Sequence, residues 1–492
     1  MKRSTALALS FATLSTVAHA CPMHTANMGS YPAVNDAIFT TRAETIDGAS
    51  VNVTTSTGSS TLSSNATAVG AATVGAWKIN TTGAKGSSTN STINALVSTV
   101  SSDVQSVYYD SNFVYVKHTD IPSHLLGPFT GNPAYPANAN RTSRLPRTPV
   151  IATTKTTVGL GSVGVMVNGG LFFNPQDANS YNNQNVWHQN ANVFEASSFD
   201  IGPGHPAPNQ GATGNPIPGT YHYHEAPVAL LNQIDPGNTG QHHSPIVGYA
   251  WDGFPIYGPY GYTDPNDASS AVKRITSGYQ VRDGMLASGI RDKTSDTGTT
   301  LAANQRGPTV ASVAAGSYIE DYEYVAGIGD LNEYNMRFTV TPEYPQGTWA
   351  YFLTLNAAGT SVYPYIIGPQ YYGVVDTSNT GPTGGTTSIP GTATQLKLGD
   401  ANIDGTVNFS DLLALAASYN ATGSNHWSGG DFNRDGSVNF ADLLLLAANY
   451  SSTSAASDDW AMAQLAVAPE PATVGTVVVA GAMSLRRRRT SH

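Results

Sequence analysis

Two histidines stand one residue apart in the stretch Gly219-Thr-Tyr221-His222-Tyr223-His224. In a strand, residues i and i+2 share a face and lie about 7 Å apart along the chain. His222 and His224 therefore point the same way and converge on one ion, while Tyr221 and Tyr223 pack on the opposite face. His205, in Gly204-His-Pro206, His243, in Gln241-His242-His243-Ser244, and Asp252, in Trp251-Asp-Gly253, are the candidates for a third ligand, an oxygen ligand or a residue that orients a ligand. The chain has one cysteine, Cys21, so thiolate ligands are not available. Neutral imidazoles with one carboxylate suit zinc, copper or iron better than calcium. If one coordination position stays open, a bound water is acidified for hydrolysis. Two other readings stand beside the metal one. Alternating Tyr and His also builds a hydrogen-bonded aromatic layer, and the same groups serve as a metal-free acid–base site. His118, His124 and His188 are isolated and read as structural.

The second chemical signal is an internal repeat. Asp400-Ala-Asn402-Ile-Asp404-Gly405-Thr406-Val-Asn408-Phe409-Ser410-Asp411 recurs 31 residues later as Asp431-Phe-Asn433-Arg-Asp435-Gly436-Ser437-Val-Asn439-Phe440-Ala441-Asp442. Oxygen side chains fall at loop positions 1, 3, 5, 9 and 12. Glycine sits at position 6, where the turn is sharp, and a backbone carbonyl serves at position 7 (Thr406, Ser437). Each loop brings three carboxylates to one hard cation, so two Ca2+ sites are expected. Position 12 is Asp rather than Glu, and its shorter arm is expected to bind through one oxygen or through water. Each loop runs into an apolar helical stripe: Leu412, Leu413, Leu415, Ala416 and Tyr419 match Leu443, Leu444, Leu446, Ala447 and Tyr450. Two such units are each too small to bury a face alone and should pack on each other.

Over residues 398–451 this arrangement closely resembles a type I dockerin. The resemblance implies a cohesin partner, engaged by a small polar pair at loop positions 10 and 11. Those positions here are Phe409-Ser410 and Phe440-Ala441, a departure that favours some other envelope or matrix partner, or a calcium-rigidified stalk.

The histidine-bearing region resembles the YHYH domain family, through the tetrapeptide at 221–224, Val167-Asn-Gly-Gly170, Gly204-His-Pro206 and Tyr363-Pro-Tyr-Ile-Ile-Gly368. The resemblance covers roughly 107–375. Members often carry a cysteine just before the Gly-His-Pro element. Here that stretch is Phe199-Asp-Ile-Gly-Pro203, so no function rests on such a cysteine.

The elements that must position these residues are mainly strands. Segments such as Val107-Tyr-Tyr109, Phe113-Val-Tyr-Val116 and Met336-Arg-Phe-Thr-Val340 are separated by Gly, Pro and Asn turns. The fold class expected is mostly β: a β-rich YHYH-like domain plus a small all-α pair of calcium loop–helix units of the dockerin or EF-hand type. The expected division is a signal peptide at 1–20, a Ser/Thr/Gly-rich region at 21–106, and the β-domain at 107–375. A flexible linker at 376–396, the calcium module at 398–451, a spacer at 452–468 and a sorting tail at 469–492 follow.

The ends set the expected compartment. Lys2 and Arg3, an apolar stretch to Val17 and Ala18-His-Ala20 have the anatomy of a bacterial secretory signal. Cys21 would open the mature chain, and His19 fits ordinary cleavage better than lipidation. Met23-His24 beside it reads as part of a disordered terminus. Pro469-Glu-Pro471, a short apolar run and Arg486–Arg489 resemble the PEP-CTERM sorting signal, which implies cleavage by an envelope peptidase. The alternative is a short, unprocessed membrane anchor. Either way the body of the chain is placed outside the cytoplasm, secreted or at the cell surface.

Charged residues make up only 11% of the chain, and removing both ends, with six basic residues and Glu470, takes the net charge from −10 to about −15. An acidic surface suits divalent cations and excludes nucleic acid as a partner. No Gly-x-Ser-x-Gly elbow, His-Glu-x-x-His helix or phosphate-cradling loop occurs. Glu320, Asp321 and Glu323 are the carboxylates to consider for glycoside cleavage, although they read better as an exposed strand or loop. Two functions follow. One is a surface or matrix binding protein holding a transition metal. The other is a secreted metal-dependent or polysaccharide-acting hydrolase attached through the dockerin-like module. A purely structural surface-layer role is a third.

Overall fold

A computed structural model describes residues 71–292, 301–381, 384–423 and 426–451. The signal peptide, Cys21 and Met23-His24, the 452–468 spacer and the sorting tail all lie outside the described residues.

The centre is a nine-stranded mixed sheet. Its edge is Gly204–Pro208, followed by Ile217–Tyr223, Leu171–Phe173, Ser162–Met166, Ile246–Ala250, Pro255–Tyr257, Thr348–Phe352 and Met336–Thr339. Ala134–Pro136 adds parallel to the first half of the 217–223 strand. Ile246–Ala250 and Pro255–Tyr257 are buried at every residue, as strands covered on both faces must be. Helices are few and short, with Ala191–Phe194, Val228–Ile234 and Asp283–Ser288 between strands.

A second, four-stranded sheet runs Thr394–Gln395, Val104–Tyr109, Phe113–His118, Arg141–Pro146. It changes two of the expected boundaries. Val104–Tyr109 crosses position 107, and the preceding residues Val74, Trp77, Ile93 and Val97 are buried in the same core, so residues 71–106 are continuous with the β-domain. The helix Ser91–Val97 forms because Asn90 caps it, its side chain accepting from the amides of Thr92 and Ile93. Residues 376–396 do not behave as the flexible linker their composition suggests. Asp376 pairs with Arg144, the amide of buried Asn379 donates to the Arg144 carbonyl at 2.6 Å, and Leu396 N donates to Val107 O at 2.9 Å. Polar side chains here satisfy the sheet edge instead of solvent.

The two calcium-type loops lead into helices Phe409–Ala417 and Phe440–Asn449. Asn408 and Asn439 cap them, and Asp411 and Asp442 reach back to the cap amides in matching capping boxes. Gly399, before the first loop, abuts Leu446 of the second helix, while Gly430, before the second loop, abuts Leu415 of the first. Both glycines have positive φ, at 98° and 103°, and a Cβ at either would strike helix backbone. The units thus pack reciprocally. The helical stripes are not equally buried, however. Leu412, Leu415, Ala416 and Leu446 enter the core, whereas Leu444 is 54% exposed beside Phe440 at 61%. Among the described residues no helix is long and apolar enough to cross a membrane.

Candidate metal centre

The sheet register brings His205 into the site. Gly204–Pro208 pairs antiparallel with Ile217–Tyr223, and His205 stands directly opposite His222. Opposed residues share a face, and His224 lies two further along, so three imidazoles project from one side. His205 Nε2 and His222 Nε2 are 3.1 Å apart, and His222 Nε2 and His224 Nε2 are 3.0 Å apart. All three residues are buried, and they form the metal-competent group among the described residues.

The outer nitrogens decide what the inner ones present. His222 Nδ1 lies 3.1 Å from the Thr220 carbonyl and His224 Nδ1 lies 2.8 Å from the Asn174 carbonyl. Carbonyls only accept, so both Nδ1 atoms carry hydrogen. His205 Nδ1 is 2.7 Å from Ser198 Oγ, whose own hydrogen goes to the Glu195 carbonyl at 2.8 Å. That hydroxyl therefore accepts from His205 as well. His222 and His224 are fixed as Nδ1–H tautomers, and with the Ser198 hydrogen on the Glu195 carbonyl His205 matches them, so that three Nε2 lone pairs face one point. Lone pairs at these separations make no hydrogen bond with one another, and a cation would satisfy them.

Electrostatics keep the His205 and His222 rings neutral. Burial, then the neighbouring His224, lowers His205 to about 4, with Glu195 partly opposing. Burial and the other two rings hold His222 well below its ordinary value. Neutral imidazole is the form that binds metal. Phe173 stacks on His222 at 3.8 Å between centroids, and Phe199 lies parallel to His224 and edge-on to His205. The aromatic walls leave one side open, to a cleft of about 500 Å³.

At that mouth stands Glu195, a residue that sequence spacing does not point to. Its Oε2 lies 3.3 Å from His224 Nε2 and 3.4 Å from His205 Nε2. Burial pushes its pKa up, but the proximity of His224 and His205 outweighs that and leaves it low. Glu195 follows the short helix at 191–194, and nothing in the local sequence links it to a strand motif ten residues on.

His243 and Asp252 are not part of the cluster, which corrects the expectation that either supplies a ligand. Two strands, 171–173 and 162–166, lie between 217–223 and 246–250 in the sheet. Three strand spacings amount to about 14 Å. Buried His243 Nδ1 instead donates to the Ser244 carbonyl (2.7 Å), its ring between Tyr257 and Tyr262. Asp252, fully buried, accepts from Tyr351 Oη at 2.7 Å and Gly373 N at 2.9 Å.

The opposite face carries the tyrosines, as alternation requires. Tyr221 Oη donates to Asp200 and Tyr223 Oη meets His124 Nε2 at 2.9 Å. His118 lies between Asp120 and Ser143, and His188 binds Glu320, so these three histidines are held in internal networks. Glu320, Asp321 and Glu323 are each in ion pairs, with His188, Arg291 and Arg282. Asp321 is wholly buried rather than on an exposed loop.

The calcium-type loops match each other atom for atom. Asp400 accepts from the amides of Asp404 and Gly405, and Asp431 from those of Asp435 and Gly436. Position 12 is pinned the same way twice. Asp411 takes amides from Ala401, Asn402 and Asn408, and Asp442 takes them from Phe432, Asn433 and Asn439. Burial first, then the neighbouring carboxylates, raises Asp400; Asp411, Asp431 and Asp442 are also raised chiefly by burial. Carboxylates crowded in this way are relieved by a divalent cation.

Fold and site together define a histidine-centred β-domain joined to a paired loop–helix calcium module. Residues 142–363 match the family model "YHYH protein", and residues 398–451 match "Dockerin type I domain". The chain carries both a YHYH domain and a type I dockerin domain, the latter a calcium-binding module. No curated protein and no solved structure matches the chain.

Proposed function

We propose that this is a secreted or cell-surface binding protein that holds one transition-metal ion at His205, His222 and His224. Its dockerin domain takes two Ca2+ ions, through Asp400, Asn402, Asp404, Thr406, Asn408 and Asp411, and through Asp431, Asn433, Asp435, Ser437, Asn439 and Asp442. The observation that carries the metal reading is the convergence of three imidazoles, His205 and His224 Nε2 lying 3.1 Å and 3.0 Å from His222 Nε2, with every Nδ1 committed elsewhere. Nitrogen donors without thiolates favour zinc, copper or iron. The extracellular placement and a cohesin-type or other envelope or matrix partner rest on the dockerin domain. Phe440 and Leu444, exposed on its second helix, supply an apolar face for such a partner.

The test is elemental analysis of the purified full chain beside a His222→Ala/His224→Ala variant. About one equivalent of zinc, copper or iron, lost in the variant while calcium stays, supports the reading. Equal transition-metal content in both proteins sinks it.

A further inference from the structure

Three histidines leave a metal one position short of the four that zinc-type ions prefer, and what fills it separates a binding centre from a hydrolytic one. We propose that the Glu195 carboxylate is the fourth ligand, closing the site as a three-nitrogen, one-oxygen centre whose single exchangeable position is Glu195's own. The proposal rests on the histidines being ligands.

Geometry supports it. Neighbouring donors around an ion with bonds of about 2.0–2.1 Å stand roughly 3 Å from one another. Glu195 Oε2 lies 3.3 Å from His224 Nε2 and 3.4 Å from His205 Nε2, and those two nitrogens lie 3.0 Å and 3.1 Å from His222 Nε2, so the four donors close a ring around one point. Glu195 also differs from the histidines in mounting. The histidines hang from the sheet, with rings held by Phe173 and Phe199. Glu195 sits at the end of a single helical turn, and its side chain is 29% exposed against 7% for His205 and 5% for His224. It is the one donor able to swing off without breaking a strand pair.

The cleft beyond selects what takes its place. Its walls include the carboxylates Asp177 and Glu195 and the uncharged Asn132, Thr130 and Phe194, with no lysine or arginine. An anion entering would meet one fixed carboxylate and the one it displaced. A neutral oxygen or nitrogen donor would not. The exogenous ligand of this centre is therefore an uncharged donor such as a hydroxyl or imidazole.

The test loads the full chain with Co2+ in place of the native metal and reads its visible absorption. In the wild type the bands are unchanged across about pH 6 to 9, because no bound water is present to titrate. In Glu195→Ala, water takes the fourth position, the bands shift and become pH-dependent, and Co2+ binds roughly 10- to 100-fold more weakly. Glu195→Gln, which keeps the shape of the side chain, shows the same change. Imidazole perturbs the wild-type bands at lower concentration than azide does. Wild-type spectra that titrate with pH, or variant spectra identical to wild type, overturn the role of Glu195 alone. Cobalt binding no stronger than in His222→Ala/His224→Ala overturns the histidine centre itself.

Discussion

His205 and His222 stand face to face across an antiparallel strand pair, with Nε2 atoms 3.1 Å apart and no hydrogen available to either. A metal-free protein gains nothing from that contact. Two buried acceptors aimed at each other cost desolvation without a bond in return. A cation would relieve that contact, and the hydrogen bonds at the outer nitrogens orient the rings toward it.

The Ser198 hydroxyl makes this testable at one atom. It accepts from His205 Nδ1 at 2.7 Å while donating to the Glu195 carbonyl, so it sets the His205 tautomer and steadies the turn that carries Glu195. Ser198→Ala should weaken transition-metal binding by about 10- to 100-fold, the usual cost of losing a partner that orients a histidine ligand. Competition against a chromophoric chelator measures it. An unchanged affinity would mean that the ring is oriented by Phe199 packing alone.

The carboxylates once eligible for glycoside chemistry make a structural prediction instead. Arg291, wholly buried, holds both oxygens of Asp321 at 2.6 and 2.9 Å and three backbone carbonyls besides. Asp321→Ala leaves that guanidinium buried without its counter-ion, and should destabilise the fold by about 3–5 kcal/mol. Urea denaturation reads the loss. Metal content of the surviving folded protein should not change, because the pair lies outside the histidine cluster.

Strand alternation made part of this site readable from the chain. His222 and His224 two apart predict a shared face with Tyr221 and Tyr223 behind it, and the glycine at loop position 6 with its flanking carboxylates predicts both calcium loops and their helices. What alternation does not carry is sheet order. His243 and Asp252 follow the YHYH strand in sequence but lie beyond two inserted strands, whereas His205 is brought in by an antiparallel register. Glu195 comes from a turn with no period at all. The 376–396 segment shows the same limit. Its Gly, Ser and Thr residues look unstructured by composition, but two arginines on a neighbouring strand, Arg141 and Arg144, hold it at the Gly384 carbonyl and at Asp376.

His243 supplies a pH dependence independent of the metal. Burial lowers it to about 4, with Arg337 and His242 adding to that and the Ser244 carbonyl and Glu343 opposing. The unfolded chain takes up a proton near the ordinary histidine value of about 6.5. As pH falls from about 6.5 to 4, the unfolded state gains a proton that the folded state refuses, so stability drops across that window and the slope levels below it. One such group contributes at most about 1.4 kcal/mol per pH unit. His243→Gln should flatten the acid limb relative to wild type in urea midpoints taken through the window. Identical slopes would show that His243 is charged in the fold.

Trp427 ties the calcium module to the β-domain. Its indole Nε1 donates to the Asp400 carbonyl at 2.7 Å, the first residue of loop 1, and its ring packs edge-on to Phe432 of loop 2. The same ring fills the space above Gly75, where a Cβ would come within 2.6 Å of it. Losing the indole hydrogen bond in Trp427→Phe should cost about 0.5–1.5 kcal/mol, which is roughly a 2- to 12-fold weaker calcium site at loop 1. Loop 2 keeps its ring contact and should change less. Gly75→Ala approaches the same joint from the other side, pushing the indole without touching a ligand. If the joint transmits to loop 1, calorimetric titration with Ca2+ shows the same one of two binding events weakened in both variants. Were Trp427→Phe weakened and Gly75→Ala unchanged, the hydrogen bond would act locally, and the β-domain would have no hold on calcium.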